Sequence, residues 1–183
     1  SPNGQTRLLT LKQPVGPCLM ITPWNFPMAM GTRKIGPAIA AGCTMVVKPA
    51  ALTPLSMLSL GEILVEAGLP AGVLNIITTT RTAEVMEPII ADARLRKLTF
   101  TGSTEVGRAL IAQSANQVLR VSMELGGNAP FLVFEDADLD KAADALIGAG
   151  FGAAGERCMA ISVAVPVGEK TADALIPNLI PRI

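Results

Sequence analysis

The feature that most constrains this chain is a regular alternation: short apolar runs rich in β-branched residues, separated by segments of helical periodicity. Runs at 15–22, 44–47, 73–78 and 97–101 predict strands. The stretches 28–41, 54–67, 83–91 and 103–114 predict helices, the second with Thr53 as a cap ahead of Pro54 in the first turn. Alternating strands and helices are joined by right-handed crossovers, so the expected fold is α/β: a parallel sheet with helices on both faces. Ligands of such sheets bind beyond the carboxyl ends of the strands.

A further strand is expected at 119–123. Leu125-Gly126-Gly127-Asn128 then breaks the pattern before a strand-like run at 130–134, and we place a domain boundary there, giving domains 1–124 and 125–183. After that run the second continues with a capped helix from about Asp138, a glycine-rich passage over 148–155, the segment of Cys158, a strand at 161–167 and a last amphipathic stretch. It reads as the incomplete beginning of a further α/β domain.

Composition excludes several functions. Fifteen basic and fifteen acidic residues leave no net charge and form no stripe that would neutralise a phosphate backbone, which argues against nucleic acid as a partner. Every apolar stretch is broken well before the ~20 residues of a membrane span, and the N-terminus lacks the pattern of a secretory signal, so a cytoplasmic enzyme is expected. Three cysteines at irregular spacing suggest neither a disulfide framework nor a metal cage. The chain has no histidine, which removes Ser-His-Asp and Cys-His catalysis and most transition-metal sites. Cys18 and Cys43 lie in apolar runs and read as buried small hydrophobes, whereas Cys158 follows the polar Gly155-Glu156-Arg157.

Four positions have the residue types that chemistry needs, each with a plainer alternative. Gly102 and Ser103 stand between a strand end and a helix start, where free N–H groups and the helix dipole attract a pyrophosphate; Ser103 also fits an ordinary N-cap. Lys48 ends a β-run, so its ammonium emerges at the carboxyl edge of the sheet, over a ribose or phosphate or simply into solvent. Glu124, between Met123 and Leu125, is either a general base in an apolar setting or a solvated boundary carboxylate. Asn25, between Trp24 and Phe26, offers an oxyanion-binding amide or a turn-former.

Taken together, Pro23-Trp24-Asn25-Phe26-Pro27, Lys48-Pro49-Ala50, Phe100-Thr101-Gly102-Ser103, Glu124-Leu125-Gly126-Gly127 and Cys158 resemble the aldehyde dehydrogenase superfamily, in its order and with its usual separations. The resemblance covers nearly the whole chain. It implies that 1–124 is a Rossmann-like dinucleotide-binding domain and 125–183 the start of the catalytic domain. It also implies an oxidoreductase that converts a small aldehyde to its acid with NADP or NAD. Cys158 would attack the aldehyde, the Asn25 amide and the Cys158 N–H would hold the oxyanion, and Glu124 would activate water against the thioester or deprotonate Cys158 beforehand. Trp24, Asn25, Lys48, Ala51, Gly102, Ser103 and Leu125 would hold the cofactor, and no metal is implied.

From about Pro14 to Asp144 the chain looks most like the succinate-semialdehyde dehydrogenase group, whereas Phe151 to Val167 looks more like methylmalonate-semialdehyde dehydrogenases, which pass the acyl group to coenzyme A. Glu124 favours hydrolysis, because the coenzyme A group generally lacks it. Ala51 departs from the glutamate that many NAD-preferring members use on the adenosine ribose, which admits NADP. Thr78-Thr79-Thr80 stands where members often carry a glycine-bearing loop. Members of the family are much longer and homo-oligomeric, so this chain is expected to be a portion of such an enzyme, sticky and weakly active alone. An inactive dinucleotide-binding fragment is the alternative.

Overall fold

The computed structural model describes Gly4 and residues 7–183, in two compact units, 1–124 and 125–183. The first holds strands β1 (Cys18–Ile21), β2 (Met45–Lys48), β3 (Leu74–Ile76) and β4 (Lys97–Gly102). Helices α1 (Pro27–Ala40), α2 (Leu55–Glu66), α3 (Thr82–Ala91) and α4 (Thr104–Ala115) alternate with them, and β5 (Arg120–Leu125) closes the series. The strands form one sheet in the order β3-β2-β1-β4-β5, with β1 parallel to both neighbours and β2 parallel to β3. This is the expected parallel α/β sheet.

Pleating explains how both faces are covered. Cys18 and Met20 point to one side of β1, where they join Met45, Val47 and Cys43 under Ile35 and Ala38 of α1 and Met57 and Leu60 of α2. Leu19 points to the other side and is fully buried, paired in register with Val46 and Leu98. That face takes α3 and α4, which contact one another and bury Met86, Ile90 and Leu110. A strand buried on both faces needs apolar residues at every position, which is why Cys-Leu-Met-Ile does not alternate.

Two of the differences from the expected boundaries have a clear physical cause. Residues 15–17 lie outside β1, because Gly16 takes a left-handed φ of 113° with the Arg96 side chain packed where a Cβ would stand, and Pro17 cannot donate to a ladder. Thr53 does not cap α2. Its hydroxyl donates to the Trp24 carbonyl at 3.4 Å, and the helix starts after Pro54 without a side-chain cap.

The second unit contains β6 (Ala129–Val133), α5 (Leu139–Phe151), β7 (Ile161–Pro166) and α6 (Glu169–Leu179). β6 and β7 pair in parallel, and Val133, Ala143, Leu146 and Leu175 form the core between the ladder and its helices. Asp138 caps α5 by accepting from Lys141 N–H at 3.2 Å, as expected. The glycine-rich passage is partly helical, since α5 runs through Gly148 and Gly150 before a short turn at Gly152–Gly155. No described helix is long and apolar enough to cross a membrane.

Candidate active site

In the first unit the chain winds one way from β1 through β2 to β3, then returns to the other side of β1 as β4. The carboxyl ends of β1 and β4 therefore flank the point where the winding reverses, the place where doubly wound sheets open a crevice for a ligand. Ile21 lies in register with Lys48 on one side and Phe100 on the other. The segments leaving these strands, Thr22 to Asn25, Lys48 to Ala51 and Thr101 to Ser103, are thereby brought to one edge of the sheet. The Thr22 N–H donates to the Lys48 carbonyl at 3.1 Å, and the Thr53–Trp24 bond ties the first two segments together beyond the strands.

Each expected residue of this edge has a defined setting. Trp24 is exposed, and Asn25 is half-buried in the turn before α1. Lys48 is buried, and burial pushes its ammonium below the ordinary lysine range. Ala51 lies exposed in the turn after β2. Gly102 ends β4 with the Phe100 ring in the space of a Cβ, whose ideal position is 2.5 Å from Cζ, so any side chain there must displace the ring. Ser103 does cap α4, accepting from Val106 N–H at 3.4 Å, and that role leaves the helix N-terminus facing the crevice. The Thr78–Thr80 loop follows the edge strand β3, away from the reversal point; there the Thr79 hydroxyl accepts from the Arg81 N–H at 2.9 Å.

Two hydroxyls that the sequence did not single out are the most informative. Thr22 Oγ1 and Thr101 Oγ1 are buried at the ends of the adjacent strands β1 and β4 and have no hydrogen-bond partner among the described residues. A buried hydroxyl without a partner costs about 1–3 kcal/mol, so two of them flanking the crevice suit a polar ligand lying across it. With the capped helix, the glycine and the lysine, this edge fits a dinucleotide.

Glu124 stands on β5 in a different polar group. It is exposed, the solvated of the two settings that its neighbours allowed, because most of β5 is open to solvent. Lys97 Nζ donates to Ser122 Oγ at 2.6 Å, and Lys34 Nζ of α1 donates to Thr99 Oγ1 at 2.9 Å, two hydrogen bonds on the α1 side of β4 and β5. Burial lowers the pKa of Lys34, the Glu124 carboxylate opposes that shift, and Arg33 and Lys97 add to it. Lys34 was missed in the sequence, although position 34 borders the buried stripe Gly31, Ile35 and Ala38, where a lysine is out of place.

Leu125 and Cys158 belong to the second unit. Leu125 ends β5 and is half-buried. Cys158 is an exposed free thiol in the turn between Gly155 and β7, in contrast to Cys18 and Cys43, both buried. Burial and the neighbouring Cys43 thiol push Cys18 up to about 11, which keeps it protonated and unreactive. The structure thus collects Trp24, Asn25, Lys48, Ala51, Gly102 and Ser103 at one sheet edge, sets Glu124 on β5 of the same unit, and leaves Cys158 as the one exposed cysteine.

The model of the aldehyde dehydrogenase family matches residues 1–183. The chain is 55% identical over 153 residues to the NADP(+) succinate-semialdehyde dehydrogenase of Escherichia coli (strain K12), an alignment covering 84% of this chain and 32% of that protein. The solved structure of succinate-semialdehyde dehydrogenase from Burkholderia pseudomallei superposes with a TM-score of 0.90 at 46% identity, over 94% of this chain and 35% of that one. A putative methylmalonate-semialdehyde dehydrogenase from Sinorhizobium meliloti, solved with NAD, gives 0.85 at 44%, over 92% of this chain and 34% of that one. The chain spans about a third of the length of the relatives it matches. A doubly wound sheet with its crevice at the β1/β4 reversal, the motif residues gathered around it, and a family match along all 183 residues lead to one conclusion: this chain belongs to the aldehyde dehydrogenase family.

Proposed function

We propose that the chain is the cofactor-binding unit and nucleophile-bearing segment of an NAD(P)-dependent semialdehyde dehydrogenase, with succinate semialdehyde as the favoured substrate and its carboxylic acid as the product. The observation that carries this reading is the pair of unpartnered hydroxyls, Thr22 and Thr101, beside Gly102 and the capped N-terminus of α4. In this reading the α4 N–H groups and the hydroxyls hold the pyrophosphate region, while Lys48 and Trp24 hold the nucleoside end. When bound, the nicotinamide supplies a hydride acceptor. Ala51 brings no carboxylate to repel a 2′-phosphate, which supports NADP, the cofactor named for the Escherichia coli relative.

The residues of the chain have the following roles. The Cys158 thiolate attacks the aldehyde carbon, and the Asn25 amide and the Cys158 N–H hold the resulting oxyanion. Once the thiohemiacetal is oxidised to a thioester, Glu124 takes a proton from water, which attacks the acyl carbon and releases Cys158. The Glu124 carboxylate in turn favours the charged form of Lys34 on α1. The same reading makes the whole enzyme cytoplasmic and homo-oligomeric, and its free cysteines suit a reducing compartment.

The test is a titration of the purified chain with NAD and with NADP, followed by nicotinamide absorbance after addition of succinate or methylmalonate semialdehyde. Reduced nicotinamide with succinate semialdehyde supports the reading; binding of neither cofactor rejects it. A second reading, an enzyme that passes the acyl group to coenzyme A, draws on Gly155 to Ala160, which resemble the methylmalonate-semialdehyde group. Acyl-coenzyme A among the products would select it.

A further inference from the structure

The chain from α5 to Cys158 runs through a turn of the wrong hand for L-residues. Ala153 (φ 53°, ψ 40°) and Ala154 (φ 55°, ψ 25°) are both left-handed, and Gly155 follows at φ 75°. Left-handed backbone is routine for single glycines; a run that includes two alanines is costly, because each Cβ crowds the following carbonyl oxygen. The only other non-glycine residue with positive φ among those described is Val118. The side chains of Ala153 and Ala154 are exposed, so no packing demand on the methyl groups explains the conformation. What is held here is the backbone.

Several contacts hold it. The Glu156 N–H donates to the Ala153 carbonyl at 3.0 Å and closes the turn. A Cβ on Gly155 would stand 3.3 Å from the Gly150 carbonyl oxygen, so this glycine lets the chain pass close to the end of α5. A Cβ on Gly152 would stand 3.2 Å from Nη1 of Arg157, which places the guanidinium of the residue preceding Cys158 back over the start of the turn. The Ala160 N–H donates to the Arg157 carbonyl at 3.0 Å, and that second turn encloses Cys158. Strain of this kind persists only where the surrounding structure imposes it, and it concentrates where a reactive group must be aimed.

We propose that Ala153 and Ala154 are positioning residues: their left-handed turn fixes the course along which the chain presents Cys158 and the seat of Arg157 over Gly152. The proposal rests on Cys158 being the nucleophile. It separates substitutions at exposed positions by backbone preference alone. Asn and Gly accept left-handed φ, whereas β-branched Val does not.

The experiment uses the full chain and measures the iodoacetamide labelling rate of Cys158, resolved from Cys18 and Cys43 by peptide mass spectrometry, together with Tm. Ala153→Asn and Ala154→Gly should keep the labelling rate within about twofold and hold or raise Tm, while Ala153→Val and Ala154→Val should lower Tm and change the rate by about fivefold or more. Gly152→Ala perturbs only the seat of the flexible Arg157 side chain and should also change the rate. Wild-type labelling in the valine variants, or in Gly152→Ala should those not fold, overturns the proposal. If the turn dependence holds but neither NADP nor an aldehyde affects Cys158, it is the dehydrogenase reading that fails.

Discussion

Replacing Thr22 or Thr101 with valine should change stability and cofactor binding in opposite directions. Both hydroxyl oxygens are buried without a partner, so the folded chain carries the desolvation cost of each, about 1–3 kcal/mol, with no compensating hydrogen bond. Valine has nearly the shape of threonine and removes that cost. Each single variant without cofactor should therefore gain up to about 1–3 kcal/mol, which for a chain of this size raises Tm by roughly 2–4 °C per kcal/mol. In the proposed reading the same change deletes a hydrogen bond to the pyrophosphate of the dinucleotide. At about 1.5–3 kcal/mol for a hydrogen bond to a charged group, Kd for NADP should rise about 13- to 160-fold. Urea denaturation gives the first quantity and isothermal titration with NADP the second. A variant that loses more than about 1 kcal/mol of stability while binding NADP as tightly as the parent would refute the reasoning, because the hydroxyl would then be serving the fold.

Gly102→Ala drives a methyl group to 2.5 Å from Cζ of the buried Phe100 ring, an overpacking that should cost about 1–3 kcal/mol and weaken NADP binding; Gly102→Ala combined with Phe100→Leu should recover part of the binding, checked by the same titration. Ala51→Glu should move the cofactor preference about tenfold towards NAD, read from the ratio of the two dissociation constants, by adding a ribose hydrogen bond and repelling a 2′-phosphate. Lys34 and Lys48, lowered by burial, lose their protons in the folded chain before the unfolded chain loses its own near pH ~10.4, so stability should climb with pH between those values. Cys18, raised to about 11, acts in the opposite sense above pH ~8.5, holding its proton in the folded chain after the unfolded chain has released it. The test is accordingly the difference in urea midpoint between the parent and Lys34→Met or Lys48→Met from pH 7 to 10.5, and a difference that does not vary with pH would contradict it.

The order of strands and helices was legible because a sheet covered on both faces demands unbroken apolar runs, and helices between parallel strands demand a buried stripe; Cys18–Ile21 and Gly31/Ile35/Ala38 show the two patterns. Residues of unusual type at strand ends, Lys48 and Gly102, and Asn25 in the segment leaving β1, were legible because the strand order and register bring these segments to one edge. Thr22 and Thr101 were not singled out, because a threonine after a β-run is ordinary and its isolation depends on contacts that only the fold defines. The sequence left two settings open for Glu124, apolar or solvated, because its neighbours Met123 and Leu125 do not reveal that most of β5 is exposed. The left-handed turn before Cys158 was hidden for a simpler reason, since alanine gives no sign of positive φ.

The central claim is that Cys158 carries the acyl group and Glu124 releases it. The direct measurement is to mix the Glu124→Gln variant with NADP and succinate semialdehyde, quench in acid and map the cysteine peptides by mass spectrometry. The account predicts a succinyl thioester on the Cys158 peptide, absent from those of Cys18 and Cys43, with one nicotinamide reduced per adduct. Full turnover without an adduct, or an adduct on either buried cysteine, would contradict it.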